Sequence, residues 1–308
     1  MIREKLRARM TKPGAGVSAL TLTALACLTG CHGQPPVAAE SSPSATHAAE
    51  SHFGRGKNMT VGIKPDQPQL SQQNGSRFDG FEIRLVDYIT TNTGTNHVFS
   101  PVVTKDRDDK LKNKSLPMIV ATYSDTPERR SKVQLVGPYI RTPQGVLVRK
   151  KYKEIRKSAD LKGKSVCTTT GSTSQQALQA LGVAILSKDR FGECVELLRG
   201  KQVEAVSTDL LILYGYQETS SDVVVAKDKD DNVVEIPATG PNEWMIGLQP
   251  GNKEDCRIVL AQLKDFLSNQ RWEQNFTTWF SDTQEDYPDW STRFKPETSS
   301  LGCVGQTG

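Results

Sequence analysis

The sequence predicts an α/β protein built as two units, and three observations carry that prediction. From Met59 onward, short β-type runs alternate with amphipathic helical stretches, the order expected when helices cover mostly parallel strands. The same alternation restarts near Lys150. With 308 residues, the chain is long enough for two cores of ordinary size.

The first unit opens on MTVGI, a strand starting at Met59. Asp79-Gly80 then precedes Phe81, Leu85, Val86 and Ile89, whose i, i+4 spacing puts one apolar face on a helix. HVFSPVV (97–103) reads as a strand, 105–115 as a charged stretch without pattern, and LPMIVATYS (116–124) as a buried strand running into a polar loop. Functional residues are expected at such strand ends. In the second unit, 164–168 reads as a strand, 170–174 as a polar Gly loop and 175–181 as a helix. Another helix around Cys194 to Arg199 closes at Gly200. VEAVSTD (203–209) is a strand, and Asp209 stands at the N-cap position of the apolar helix LLILYGY (210–216). After the strand DVVVA (222–226), WMIGL (244–248) reads as a return strand. Helices carrying Val259, Leu263 and Phe266, then Trp272, Phe276 and Phe280, finish the chain.

Apolar content of 36% and charge of 24% fit a soluble globular protein, and no run reaches the roughly 18 apolar residues of a spanning helix. The formal charge of +4 comes entirely from residues 1–30, where Arg3, Lys5, Arg7, Arg9 and Lys12 face Glu4 alone. The remainder is neutral, which excludes a nucleic-acid partner that needs a concentrated basic surface. The basic start and the short apolar run Val17 to Leu28 form an export leader over 1–30, with Met1 and Met10 both consistent as the start. Leu28-Thr29-Gly30-Cys31 resembles the lipobox of bacterial lipoproteins, implying a diacylated (palmitate-bearing) Cys31 and attachment to the extracytoplasmic face of the membrane. An ordinary leader with a chance cysteine is the alternative. Residues 31–57 are rich in Pro, Ala and Ser and are expected to be a disordered tether. Cys167, Cys194, Cys256 and Cys303 remain, an even number in an exported chain, and read as two disulfides. Zinc is the competitor, but no CxxC occurs and His97 is the only histidine beyond leader and tether; neither metal nor cofactor is expected.

Six segments occur in the order and spacing of a known family: VGIKPDQP (61–68), FDGFEIRLVDYI (78–89), ATYSDTPERRSKVQLVGPYI (121–140), DLKGKSVCTTTGSTS (160–174), GKQVEAVSTDLLILYGY (200–216) and EWMIGLQPGNKEDCR (243–257). Through them the chain resembles the family 3 extracellular solute-binding proteins, the polar amino acid binders, above all their actinobacterial glutamate-binding branch. The resemblance implies a two-lobed, periplasmic-binding-protein-like α/β fold of type II with a ligand cleft between the lobes. Lobe 1 would comprise 58–142 and 243–295, lobe 2 143–242, and 296–308 a C-terminal tail. Two strands near Tyr139 to Pro143 and Pro237 to Trp244 would form the hinge. Because each pair then shares a lobe, Cys167–Cys194 and Cys256–Cys303 are the expected bonds. The implied partners are a free amino acid and the permease and ATPase of an ABC importer, served by a monomer that is not an enzyme.

A zwitterion needs a cation for its carboxylate and an anion for its ammonium. Arg129 matches the family's carboxylate-binding arginine, whose planar fork suits a bidentate pair; the competing reading is a solvated first-turn residue after Thr126 and Pro127. Asp209 matches the ammonium acid and also fits a plain N-cap. Thr122 and Ser124 at a strand end, and Ser172 and Thr173 in a loop opening a helix, match polar ligand contacts, against generic loop polarity. Lys64 and Arg107 match cations suited to a second carboxylate, against surface charge. Asp66 either meets the ammonium or fixes the turn with Pro68. Four positions depart from the family pattern: Arg84, 114–117, Asp125, and Gln69 where a Gly is common. They leave the ligand open among glutamate, glutamine and aspartate. Two other functions stay in play: an amino-acid-sensing surface lipoprotein uncoupled from transport, and a dehydratase or lyase on the same scaffold.

Overall fold

The computed structural model describes residues 50–306 apart from Ala238 and Pro241; the expected leader, Cys31 and most of the tether lie outside the described residues. The strands gather into two main sheets. One has six strands in the order Gly302–Gly305, Gln134–Arg141, Glu243–Leu248, Met118–Ser124, Asn58–Ile63 and Asn96–Pro101. The other runs Ala184–Lys188, Ser165–Thr169, Ala205–Asp209, Gln144–Arg149 and Val223–Val225, with Glu235–Ile236 also pairing on Gln144–Arg149. Each sheet is the centre of one lobe. The chain leaves lobe 1 at 142–143 and returns at 237–242. The two crossings lie side by side, Thr142 N donating to Asn242 O at 2.8 Å.

Met118–Ser124 is buried at all seven positions, which is why it reads as an unbroken apolar run rather than an alternating one. It runs parallel to nothing on its other side, since Glu243–Leu248 returns antiparallel beside it. The helix Phe81–Thr93 buries Phe81, Leu85, Val86 and Ile89 and stops at Gly94, whose φ of 67° ends it in a left-handed cap. Its entry needs Gly80: φ is 131°, and an added Cβ would sit 2.3 Å from Leu70 O.

Several expectations are corrected. The unpatterned stretch 105–115 contains the helix Arg107–Lys112, whose buried Arg107 and Leu111 are too few to give a readable stripe. Ala184–Lys188 is an unanticipated edge strand, pairing parallel with Ser165–Thr169. Residues 296–308 are not merely a tail, because Gly302–Gly305 forms the edge of the lobe 1 sheet against Gln134–Arg141. The tether ends sooner than expected. Ser51 Oγ and His52 N donate to the buried Asp255 carboxylate at 2.7 and 2.9 Å, and Phe53 is packed in the lobe 1 core, so 51–57 belongs to the folded body. Disulfides join Cys167 to Cys194 and Cys256 to Cys303, with Cα–Cα distances of 5.4 and 6.1 Å.

Candidate ligand site

The strand ends of both lobes converge on one small cavity of about 20 Å³. Its walls include Lys64, Thr104, Arg107, Thr122 and Ser124 from lobe 1, and Ser172, Thr173 and Asp209 from lobe 2. That volume holds about one water, so an amino acid enters only when the lobes part. A much larger cleft of about 860 Å³ lies elsewhere, between 148–156, 217–231 and the helix Ser281–Asp286. It carries none of the residues singled out above, and Asp286 in its wall is already paired with Lys227 at 2.7 Å.

Lobe 1 brings two buried cations to the cavity wall, Lys64 and Arg107, and holds a third, Arg129, beside Ser124 but outside that wall. Lys64, at the end of Asn58–Ile63, is 6% exposed and donates to Thr104 Oγ1. Burial, with Arg107 close by, pulls its ammonium down to about 7. Arg107 spends its donors on backbone carbonyls: Nε on Thr104 O at 3.2 Å, and Nη1 on Ala121 O at 2.6 Å and Thr122 O at 3.0 Å. Burial, then neighbouring Arg129, lowers it to about 10. Arg129 is placed as expected, in a helix with Thr126 as N-cap and Pro127 at its first position, but it is buried rather than solvated. Its Nη1 donates to Ser124 O at 2.7 Å and its Nη2 to Gly171 O of lobe 2 at 3.3 Å. Arg107 and Arg129 also lie on the Tyr123 ring, 4.6 and 5.0 Å from its centroid. Among the described residues, none of the three cations has a carboxylate within salt-bridge distance.

Asp209 occupies the N-cap position of Leu210–Glu218 without capping it. The crossing does that work, Pro143 O accepting from Leu210 N at 2.7 Å and Thr142 Oγ1 from Leu211 N at 3.4 Å. The carboxylate is therefore free to face the cavity, held by Trp244 Nε1 at 2.7 Å. Burial raises it to about 6 against the opposing pull of Trp244, Lys64 and both arginines.

The remaining residues divide. Ser124 Oγ and Thr173 Oγ1 meet across the cleft at 3.3 Å. Ser172 is the N-cap of Thr173–Ala180, accepting from Gln175 N and donating to Thr169 O, so its hydroxyl is already engaged. Asp66, like Arg129, is absent from the cavity wall, and its Oδ2 accepts from Gly192 N at 3.0 Å. The departure at Asp125 is explained by Arg130, which grips it with two donors, the Nε at 2.6 Å.

Sequence reasoning missed Glu82, Gln67 and Trp244. Glu82 is completely buried, its Oε1 accepting from Thr122 N at 2.7 Å and from the Tyr139 hydroxyl, and its Oε2 from Ser71 Oγ. Thr122 has a φ of 47°, and Glu82 below with Arg107 on its carbonyl holds it there. Burial raises the Glu82 carboxyl against these three hydrogen bonds. Gln67 donates to Thr122 Oγ1 at 3.3 Å.

Two lobes joined by paired crossings around a polar cleft define a solute-binding protein. Residues 59–282 match the bacterial extracellular solute-binding proteins, family 3, and the chain belongs to that family. It is 29% identical over 235 residues to the glutamate-binding protein GluB of Corynebacterium efficiens, covering 71% of this chain and 78% of that one. It is 27% identical to the ABC transporter glutamine-binding protein GlnH of Bacillus subtilis, over 73% of this chain and 81% of that one. Among solved structures it superimposes on an ancestral arginine-binding protein bound to arginine with a TM-score of 0.64 and 25% identity, over 72% and 98% of the two chains.

Proposed function

We propose that this protein captures an acidic amino acid, L-glutamate first, for an ABC importer, and that it does so from a lipid anchor at Cys31. The carrying observation is the charge of the cavity wall: the cations Lys64 and Arg107 line it against the single carboxylate of Asp209. That imbalance of one positive charge suits a ligand with two carboxylates and one ammonium. Glutamine would leave one cation uncompensated, and arginine would add a second. Arg129 is assigned the α-carboxylate, Asp209 the ammonium, and Lys64 the side-chain carboxylate, with Thr122, Ser124 and Thr173 completing the hydrogen bonds. The resemblance to GluB of Corynebacterium efficiens supports the same ligand.

Calorimetric titration with glutamate, aspartate, glutamine and arginine tests this reading. Glutamate should bind at least about tenfold more tightly than glutamine, a difference of about 1.4 kcal/mol. Equal or tighter binding of arginine overturns it. The anchor is tested separately: Cys31→Ala should shed the protein from the membrane, since two acyl chains hold where one holds only marginally. A variant that stays bound and processed like the wild type refutes the anchor.

A further inference from the structure

The segment from Asp66 to Gln69 faces lobe 2, and three of its four residues touch it outside the cavity. Asp66 Oδ2 accepts from Gly192 N at 3.0 Å and lies 3.8 Å from Arg190 Nε. Gly192 stands in the first turn of the helix Phe191–Arg199, whose own N-cap residue, Arg190, makes no side-chain cap bond. A carboxylate of lobe 1 thus caps a helix of lobe 2. The carbonyl of Asp66 accepts from the Tyr216 hydroxyl as well. Pro68 O lies against Gly215, so closely that an added Cβ there would sit 2.2 Å from it. Gln69 Nε2 donates to Glu218 Oε2 at 2.9 Å, and Glu218 Oε1 in turn accepts from Asp282 N of lobe 1 at 2.8 Å.

Two of these positions contradict local preference. Gln69 has a φ of 66°, a left-handed conformation that a residue with a side chain rarely adopts and glycine takes freely. Gly215 sits inside the helix Leu210–Glu218, where alanine would favour the helix. Each choice works against its own lobe and serves the contact between lobes. Gln67, between Asp66 and Pro68 in sequence, lines the cavity.

We infer that Asp66, Pro68 and Gln69 form a latch that holds the two lobes shut over the ligand, with Gln69 and Gly215 as positioning residues that set affinity without touching it. The inference rests on the amino-acid reading of the cleft for its ligand, but the latch itself is a property of the lobes. The test measures Gln69→Gly and Gly215→Ala, each of which relieves or favours its own lobe while breaking the contact between lobes. Small-angle scattering of the ligand-free proteins should give a larger radius of gyration for both variants than for wild type. Thermal melts should show Tm unchanged or raised. Stopped-flow with L-glutamate should show dissociation about 10-fold faster, the worth of one charge-assisted hydrogen bond, at an association rate close to wild type. Wild-type scattering and dissociation in both variants overturn the latch, as does a lowered Tm in Gln69→Gly with scattering unchanged. Should wild type bind no glutamate, the ligand assignment falls, and the scattering comparison alone decides the latch.

Discussion

The two lobes bring opposite chemistry to the cleft. Lobe 1 supplies the cations, Lys64 and Arg107 in the cavity wall and Arg129 beside it, while lobe 2 supplies Asp209 and the neutral groups of Ser172 and Thr173. In the proposed assignment lobe 1 receives the carboxylates, and lobe 2 completes the site with the acid for the ammonium. For the proposed acidic ligand this difference predicts an order of events: the carboxylates dock on lobe 1 first, and closure reads the amine. It also explains why Arg129 bonds to carbonyls of both lobes, at Ser124 and Gly171, standing where the two halves meet.

The sharpest break of this asymmetry is Arg129→Ala. It removes the partner proposed for the α-carboxylate and would leave that group desolvated, so the loss should be about 2–5 kcal/mol, roughly 30-fold to several thousand-fold in Kd. Calorimetry that finds glutamate binding undiminished removes lobe 1 from the recognition of the α-carboxylate. Lys64→Met should cost less and discriminate more. Losing a charged hydrogen bond at about 1.5–3 kcal/mol weakens glutamate about 10- to 100-fold, while glutamine changes little. Parallel loss for both amino acids would make Lys64 structural.

The smallest expected effect is a pH slope. Lys64 is held at about 7 by burial and by Arg107, against the favourable charges of Asp66, Glu82 and Asp209. Above that pH the free protein carries a neutral amine, and a bound carboxylate restores its charge, so binding takes up a proton. Glutamate affinity should then fall as pH rises past about 7, by up to about 10-fold per unit. Lys64→Met should flatten this limb, and titrations at pH 7, 8 and 9 decide it. Below about 6 a separate loss is expected for wild type and variant alike, because Asp209 must then release a proton to receive the ammonium.

Most of the strands were legible because buried runs such as Met118–Ser124 announce themselves by composition, and the family motifs pointed to Arg129 and Asp209. What escaped was long-range. Glu82 reads as an ordinary acid of a helix's first turn; only the fold brings Thr122 and Tyr139 onto it, 40 and 57 residues away. Trp244 looks like strand core, and its bond to Asp209 exists only across the lobes. The contact of Asp66 with lobe 2 was not legible either, because its partner is a backbone N–H, which no side-chain pattern reveals. The strand Gly302–Gly305 has almost no β-type residues and owes its state to the neighbour it pairs with and to Cys303.

That last strand has a consequence for how the chain comes to its shape. All the strands of lobe 2 lie in one continuous stretch, from Gln144 to Ile236, and they can be assembled as soon as that stretch is available. Lobe 1 is interrupted by it, and its sheet stays unfinished at one edge until Gly302–Gly305 arrives. A chain delivered from its amino end therefore meets the inserted lobe complete before the enclosing one, and the bond from Cys256 to Cys303 marks the moment at which the older half is sealed by the youngest residues.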